Sequence, residues 1–101
     1  MQFSFIQEAN ILHVTMTGAI GNEKSDELRE NLQELLELDY TEVVFNMSFV
    51  TFIASAAIGK LIVFFKDCLS KGRRMRVKGI NDQIYELFHY IKLYQLFPIE
   101  R

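Results

Sequence analysis

Ser55 is the residue whose surroundings give a side chain the clearest chemistry to do. It follows an apolar run of strand length, Val43–Met47, and a few small and polar residues, and it opens a segment that stays apolar for four turns. A strand that stops, a short turn and a serine just before a helix place one hydroxyl at the exposed end of a buried strand. In open α/β sheets, ligands and modifications collect outside the carboxyl ends of the strands. Two roles are open to that hydroxyl, and they are compatible. As a helix N-cap it accepts from the free N–H groups of the first turn and contributes roughly 1 kcal/mol. As a phosphoacceptor it would hold a dianion against the positive end of the helix and its unpaired donors, so the fold survives while the surface changes charge.

Other groupings carry less. Gly18–Ser25 (GAIGNEKS) follows a strand and places Lys-Ser at a helix start. A phosphate loop needs glycine directly before the lysine, and Glu23 puts a carboxylate there, so this stretch reads as a turn. Lys71, Arg73, Arg74, Arg76 and Lys78 form a basic run without the aromatic residues of an RNA-binding motif. It reads as the charged outer face of a half-buried strand, not as a nucleic-acid stripe. Tyr85, Tyr90 and Tyr94 read as residues at the margin of the core. No G-x-S-x-G elbow surrounds Ser55, whose neighbours are Ala54 and Ala56. His13 falls on the outward side of a strand and His89 on the polar side of a helix, at no metal-ligand spacing. Cys68 stands alone in the apolar helix as an inert thiol. Enzymatic function is therefore the weaker class, and neither a metal nor another cofactor is expected.

The elements that position Ser55 follow from periodicity. Half of the 101 residues are apolar and 24% are charged, which is enough for one domain with one core and is not the composition of a disordered chain. Gln2–Gln7 and Ile11–Thr17 alternate around Glu8-Ala9-Asn10 and predict a hairpin, with Phe3 and Phe5 on one side. A helix is expected from Asn22 or Ser25 to about Leu38, with Leu28, Leu32, Leu35 and Leu36 on its buried face. Glu42–Met47 is apolar on both faces at Val43, Val44 and Phe45, which predicts a central strand covered on each side. A helix over Ser55–Lys71 ends at Gly72. Its polar stripe of Lys60, Asp67, Ser70 and Lys71 passes Ala56 and Val63, which places Val63 near the surface with Phe64 on its margin. Arg73–Lys78 alternates with Met75 and Val77 inward. Asn81 caps a helix that buries Ile84, Leu87, Phe88 and Ile91, and Leu96–Ile99 is a short edge strand containing Pro98. The order β-β-α-β-α-β-α-β predicts an α/β fold: one mixed sheet of about five strands with three helices and right-handed crossovers. The longest apolar run, Ala54–Phe65, is interrupted at Lys60 and falls short of the ~20 residues of a membrane span. No targeting segment is visible, so a cytoplasmic location is expected. The formal net charge of −2 argues against general nucleic-acid affinity.

With Ser55 and the strand order in place, the chain resembles the STAS domains, the fold of bacterial anti-sigma factor antagonists. NMSFVTFIASAAIGKL (Asn46–Leu61) is similar to the strand, turn and helix pattern of that family, and NDQIYELFHYIKLYQLFPI (Asn81–Ile99) to its final helix and "LFPI"-like ending. The family's phosphorylated serine aligns with Ser55. The Asp preceding it is Ala54 here, the following Ser is Ala56, the Gly is Ala57, and the Asp at the strand end is Asn46.

The resemblance implies a non-catalytic partner switch. Unphosphorylated, the chain would bind a serine kinase that doubles as anti-sigma factor, of the histidine-kinase-like ATPase type. Phosphorylation at Ser55 would release it, and a PP2C-type phosphatase would reset it. The implied contact surface comprises Asn22, Ser48, Thr51, Ala54, Ser55, Ala56, Ile58, Gly59 and Val63, with no direct contact to nucleic acid and no membrane insertion. Two alternatives are a constitutive docking subunit, for example of a lipid-transport ABC system, and a small-ligand or nucleotide binder using the helix N-terminus.

Overall fold

The computed structural model of the chain describes residues 1–101. The two alternating segments form β1 (Gln2–Glu8) and β2 (Ile11–Ile20), antiparallel and in unbroken register from Gln2 opposite Thr17 to Glu8 opposite Ile11. A short 3-10 turn, Asn22–Lys24, leads into α1 (Ser25–Leu36), which buries Leu28, Leu32 and Leu35. Then come β3 (Glu42–Ile53), α2 (Ser55–Ser70), β4 (Arg74–Lys78) and α3 (Asp82–Tyr90). Gly72 adopts φ +72 just past α2, and the Gly72 and Arg73 N–H groups return to the Leu69 and Cys68 carbonyls at 3.0 and 2.9 Å. This is the left-handed helix stop that glycine permits. Asn81 caps α3 as expected, its Oδ1 accepting from the Ile84 N–H at 2.8 Å.

The sheet order is β1-β2-β3-β4, with β2, β3 and β4 parallel to one another. Two right-handed crossovers stepping in the same direction put α1 and α2 on the same side of the sheet. Leu12, Val14, Met16, Val43, Phe45, Met75 and Val77 accordingly meet Leu32, Leu61, Phe64 and Phe88 in a single core. No polar or charged residue is buried in it.

Three expectations need correction. The sheet has four strands, because the segment expected as a fifth reduces to one bridge between Val77 and Ile99. A 3-10 turn at Leu93–Gln95 uses up the preceding residues, and Pro98 has no N–H to extend the ladder. The central strand is buried on both faces, as expected, although helices cover only one. On the other face its neighbours Ile11, His13, Thr15, Glu42 and Asn46 are half-buried, and Val44 alone is fully covered, between His13 and Arg76 in the flanking strands. Phe64 is not marginal: its ring meets Phe45 edge-to-face at 5.7 Å in the core. Leu87 of α3 and Ile91, its C-cap residue, are exposed, because the sheet's helix face has room for Ile84 and Phe88 only.

The basic run serves structure. Arg73 donates to the Leu36 and Leu38 carbonyls at 3.3 and 2.6 Å, closing the end of α1, and its guanidinium stacks over the Tyr40 ring at 4.1 Å. Arg74 and Arg76 both reach Glu42, at 3.7 and 3.8 Å. Below that stack, burial pushes the Tyr40 hydroxyl up to about 12, helped by the neighbouring Cys68, and burial pushes the Cys68 thiol up to about 11.

Two predictions follow from these contacts. Both groups hold their protons more tightly folded than unfolded, where the ordinary values are 9.0 for Cys68 and 10.0 for Tyr40. Their contribution is therefore full below pH 9 and is lost as pH rises toward 12, a fall of roughly 3 kcal/mol for each group that urea titrations across this window would read. Cys68→Ala and Tyr40→Phe should each flatten the slope. The second concerns Gly79, at φ +77, where an added methyl would collide with Ser48 Oγ and come within 3.0 Å of Asn46 Oδ1. Those two atoms are themselves hydrogen-bonded at 2.6 Å. Gly79→Ala should cost about 2–3 kcal/mol, against about 1 kcal/mol for Gly72→Ala, which meets nothing within 4 Å.

Candidate functional site

β3 runs six residues beyond the expected Met47. The reason lies in its pairing with β2. Between Thr15 and Thr17 β3 advances from Asn46 to Phe49, and between Gly18 and Ala19 it advances from Val50 to Phe52. Each step inserts one extra residue, so β3 is bulged twice. Its inward side chains, Met47, Val50 and Ile53, are then three apart, and two-residue alternation disappears from the sequence while the strand continues. The bulges also turn Phe49 and Phe52 outward, at 65% and 55% exposed.

At Ala54 the extended chain becomes helical. The Ala54 N–H donates to the Ile20 carbonyl at 2.8 Å, the last rung between β2 and β3, and its carbonyl accepts the first helical bond from Ile58 at 3.0 Å. Ala54, with φ −82 and ψ 159, is thus the N-cap residue of α2, and no side chain caps this end. The N-cap expected at Ser55 is corrected by one position. Ser55 already has its main chain in the helix, and its side chain is exposed.

Ser55 stands on the rim of an open groove. One wall is the end of β3 with Phe52, Ile53 and Ala54; the floor is the start of α2 with Ile58, Gly59 and Ile62. The opposite wall is Leu87 of α3 and Ile91 at its end, and Asn22, just after β2, closes one end. No charged side chain lines it. What it offers is apolar surface, the Ser55 hydroxyl and the Asn22 carboxamide.

Of the residues singled out in the sequence, the fold brings Asn22, Ala54, Ser55, Ile58 and Gly59 together in this groove. Ala56 is exposed beside it on α2. Val63 lies elsewhere, on a second groove between α1 and α2 with Leu32, Leu36, Arg29 and Lys60. Ser48 and Thr51 are exposed on β3, and Ser48 is tied to Asn46. Sequence reasoning missed Phe52, Ile53, Ile62, Leu87 and Ile91. The signal for the last two was present: Ile84, Leu87, Phe88 and Ile91 form a stripe wider than a short helix can bury against one sheet.

Among solved structures, the chain is similar to an anti-sigma factor antagonist from Mycobacterium paratuberculosis at 17% identity, over 98% of this chain and 84% of that one, with a TM-score of 0.88. A putative anti-sigma factor antagonist from Thermotoga maritima matches at 16% identity over 98% and 86%, also with a TM-score of 0.88. The Bacillus cell fate determinant SpoIIAA in its phosphorylated form matches at 11% identity over 97% and 90%, with a TM-score of 0.74. At such identities these likenesses speak for the fold alone. The model of the STAS domain family matches residues 2–101, so this chain, with its serine at the junction of a bulged central strand and an apolar helix, belongs to the STAS domain family.

Proposed function

We propose that this chain is a non-catalytic interaction switch, whose groove beside Ser55 binds a partner protein when the serine is free and releases it when the serine is phosphorylated. The observation that carries this reading is an exposed hydroxyl on the rim of an uncharged apolar groove. A partner covering that groove can offer the neutral hydroxyl a hydrogen bond, without which burying it costs about 1–3 kcal/mol. A phosphate bearing about −1.5 to −2 charges would have to be desolvated against Phe52, Ile58 and Leu87, with no cation in the lining to compensate. The fold itself tolerates the phosphate, because the first turn of α2 carries no side-chain cap and its N–H groups are free to receive it.

The partner class suggested by family membership is a serine kinase that doubles as anti-sigma factor, of the histidine-kinase-like ATPase type, with a PP2C-type phosphatase to reset the switch and a cytoplasmic setting for all three. SpoIIAA, whose fold this chain shares, has a phosphorylated form. Direct nucleic-acid binding is disfavoured because Arg74 and Arg76 are engaged by Glu42 and Arg73 by main-chain carbonyls. No helix is long and apolar enough to cross a membrane.

A second reading rests on the two alanines beside Ser55. Ala54 and Ala56 give an incoming kinase no polar group next to the acceptor hydroxyl. On that reading the groove is a constitutive docking surface, as in a small subunit of a lipid-transport ABC system, and Ser55 stays unmodified.

Two experiments follow. Peptide mass spectrometry on the chain from its native cells should find phosphoserine at Ser55, and Ser55→Glu should lose a partner that Ser55→Ala retains. An unmodified peptide under all growth and stress conditions would leave the docking reading. Gly59 offers an independent check. A methyl group there meets nothing within 4 Å, yet glycine in a helix interior costs about 1 kcal/mol relative to alanine. Gly59→Ala should raise stability by about 0.5–1 kcal/mol and weaken partner binding, since that space is kept for close approach. Higher stability with unchanged binding would remove Gly59 from the contact surface.

A further inference from the structure

The two edges of the sheet are finished differently. The outer edge of β4 is covered: the Val77 N–H donates to the Pro98 carbonyl at 2.9 Å, and the Val77 carbonyl accepts from the Glu100 N–H at 2.8 Å. Arg74, Arg76 and Lys78 add charge along it. Such features keep a strand edge from pairing with another chain. The outer edge of β1 has no such cover, and its single charge is Glu8 at one end. All seven residues of β1 pair with β2 in unbroken register, with no bulge and no proline to interrupt the outer edge. In an antiparallel pair, half of the main-chain donors and acceptors point away from the partner strand, and here nothing covers them. Phe5 and Ile6, on opposite faces of the strand, are 45% and 68% exposed beside that open row.

We propose that β1 is a homodimer interface, pairing antiparallel with β1 of a second copy to join two four-stranded sheets into one. A two-fold axis requires antiparallel pairing, which an edge strand can supply. Overlap of the full strand puts its central residue, Phe5, on the axis opposite its own copy. Ser4 then faces Ile6, Phe3 faces Gln7, and Gln2 faces Glu8. Glu8 is the only charge in the strand, and this register keeps it from meeting its own copy, so no like charges oppose each other. The strand is therefore complementary to itself in its longest register, which singles out a second copy of this chain as the occupant. The buried area is on the order of 1,000 Å², at the low end of specific interfaces, so association is concentration-dependent. β1 is separated from β3 by β2, and the dimer leaves the Ser55 groove free.

Sedimentation equilibrium of the full chain from about 5 to about 500 μM tests this, with average mass expected to rise toward twice that of the chain. Phe5→Lys and Ile6→Lys should each weaken dimerisation at least about tenfold, because the first sets two lysines opposite each other on the axis and the second sets two diagonally across it. Ile6 is the more exposed of the two, and its variant is the one least able to disturb the fold; circular dichroism melts verify both. Val63→Lys, at an exposed apolar position on α2, should leave the mass curve unchanged. Hydrogen exchange should show amides within Gln2–Glu8 gaining protection as concentration rises. A monomer throughout, a dimer that survives both β1 variants, or one lost in Val63→Lys would each overturn the proposal.

Discussion

Parallel pairing of β3 on both sides is the constraint on which the rest of this structure depends. A strand with parallel neighbours cannot be reached or left by a tight turn, so the chain must cross the sheet through a helix on the way in and again on the way out. Both crossovers have the same hand and step the same way, which places α1 and α2 together and leaves the opposite sheet face without a layer. The carboxyl ends of β2 and β3 then come out side by side, joined by the bond from Ala54 to Ile20. Ser55 is the first residue beyond that bond. Its position follows from topology more than from any contact of its own.

Local chemistry gives that position its character. Two bulges turn aromatic rings outward on the last stretch of β3, and α3 and its C-cap add Leu87 and Ile91 from the other side, so an uncharged groove forms around the hydroxyl. Asn81 links the two walls. Its Oδ1 caps α3 while its Nδ2 donates to the Val50 carbonyl at 3.2 Å, between the bulges. One amide therefore starts the helix and also fixes where that helix lies against the strand. A carboxylate in its place would keep the cap and lose the donor.

The order of helices and strands was legible because each signal is local: alternation in β1 and β2, leucines at helical spacing in α1, glycine after α2, asparagine before α3. What was not legible depended on neighbours. The run Ser48–Ile53 looks like a turn because bulges shift its inward residues to a spacing of three, and only the register with β2 shows the strand continuing. Phe64 sits beside the polar stripe of α2, and only Phe45 across the sheet shows that it is covered. Leu87 and Ile91 have the pattern of core residues, and the limited width of the sheet face leaves them out. Ser55 was found through its position after a strand. The walls that make it a groove come from segments about thirty residues apart, and no spacing along the chain brings them together.

The Tyr40–Cys68 pair, sealed beneath Arg73, has a consequence for the cell's redox state. Thiol–disulfide exchange proceeds through the thiolate and requires access. With its proton held up to about 11, Cys68 is ionised in about one molecule in ten thousand at neutral pH, and its side chain is fully covered. It is also the only cysteine in the sequence, so no internal disulfide can form. While folded, the protein is deaf to glutathione and peroxide at this residue, and oxidants reach the sulfur only once the core has opened.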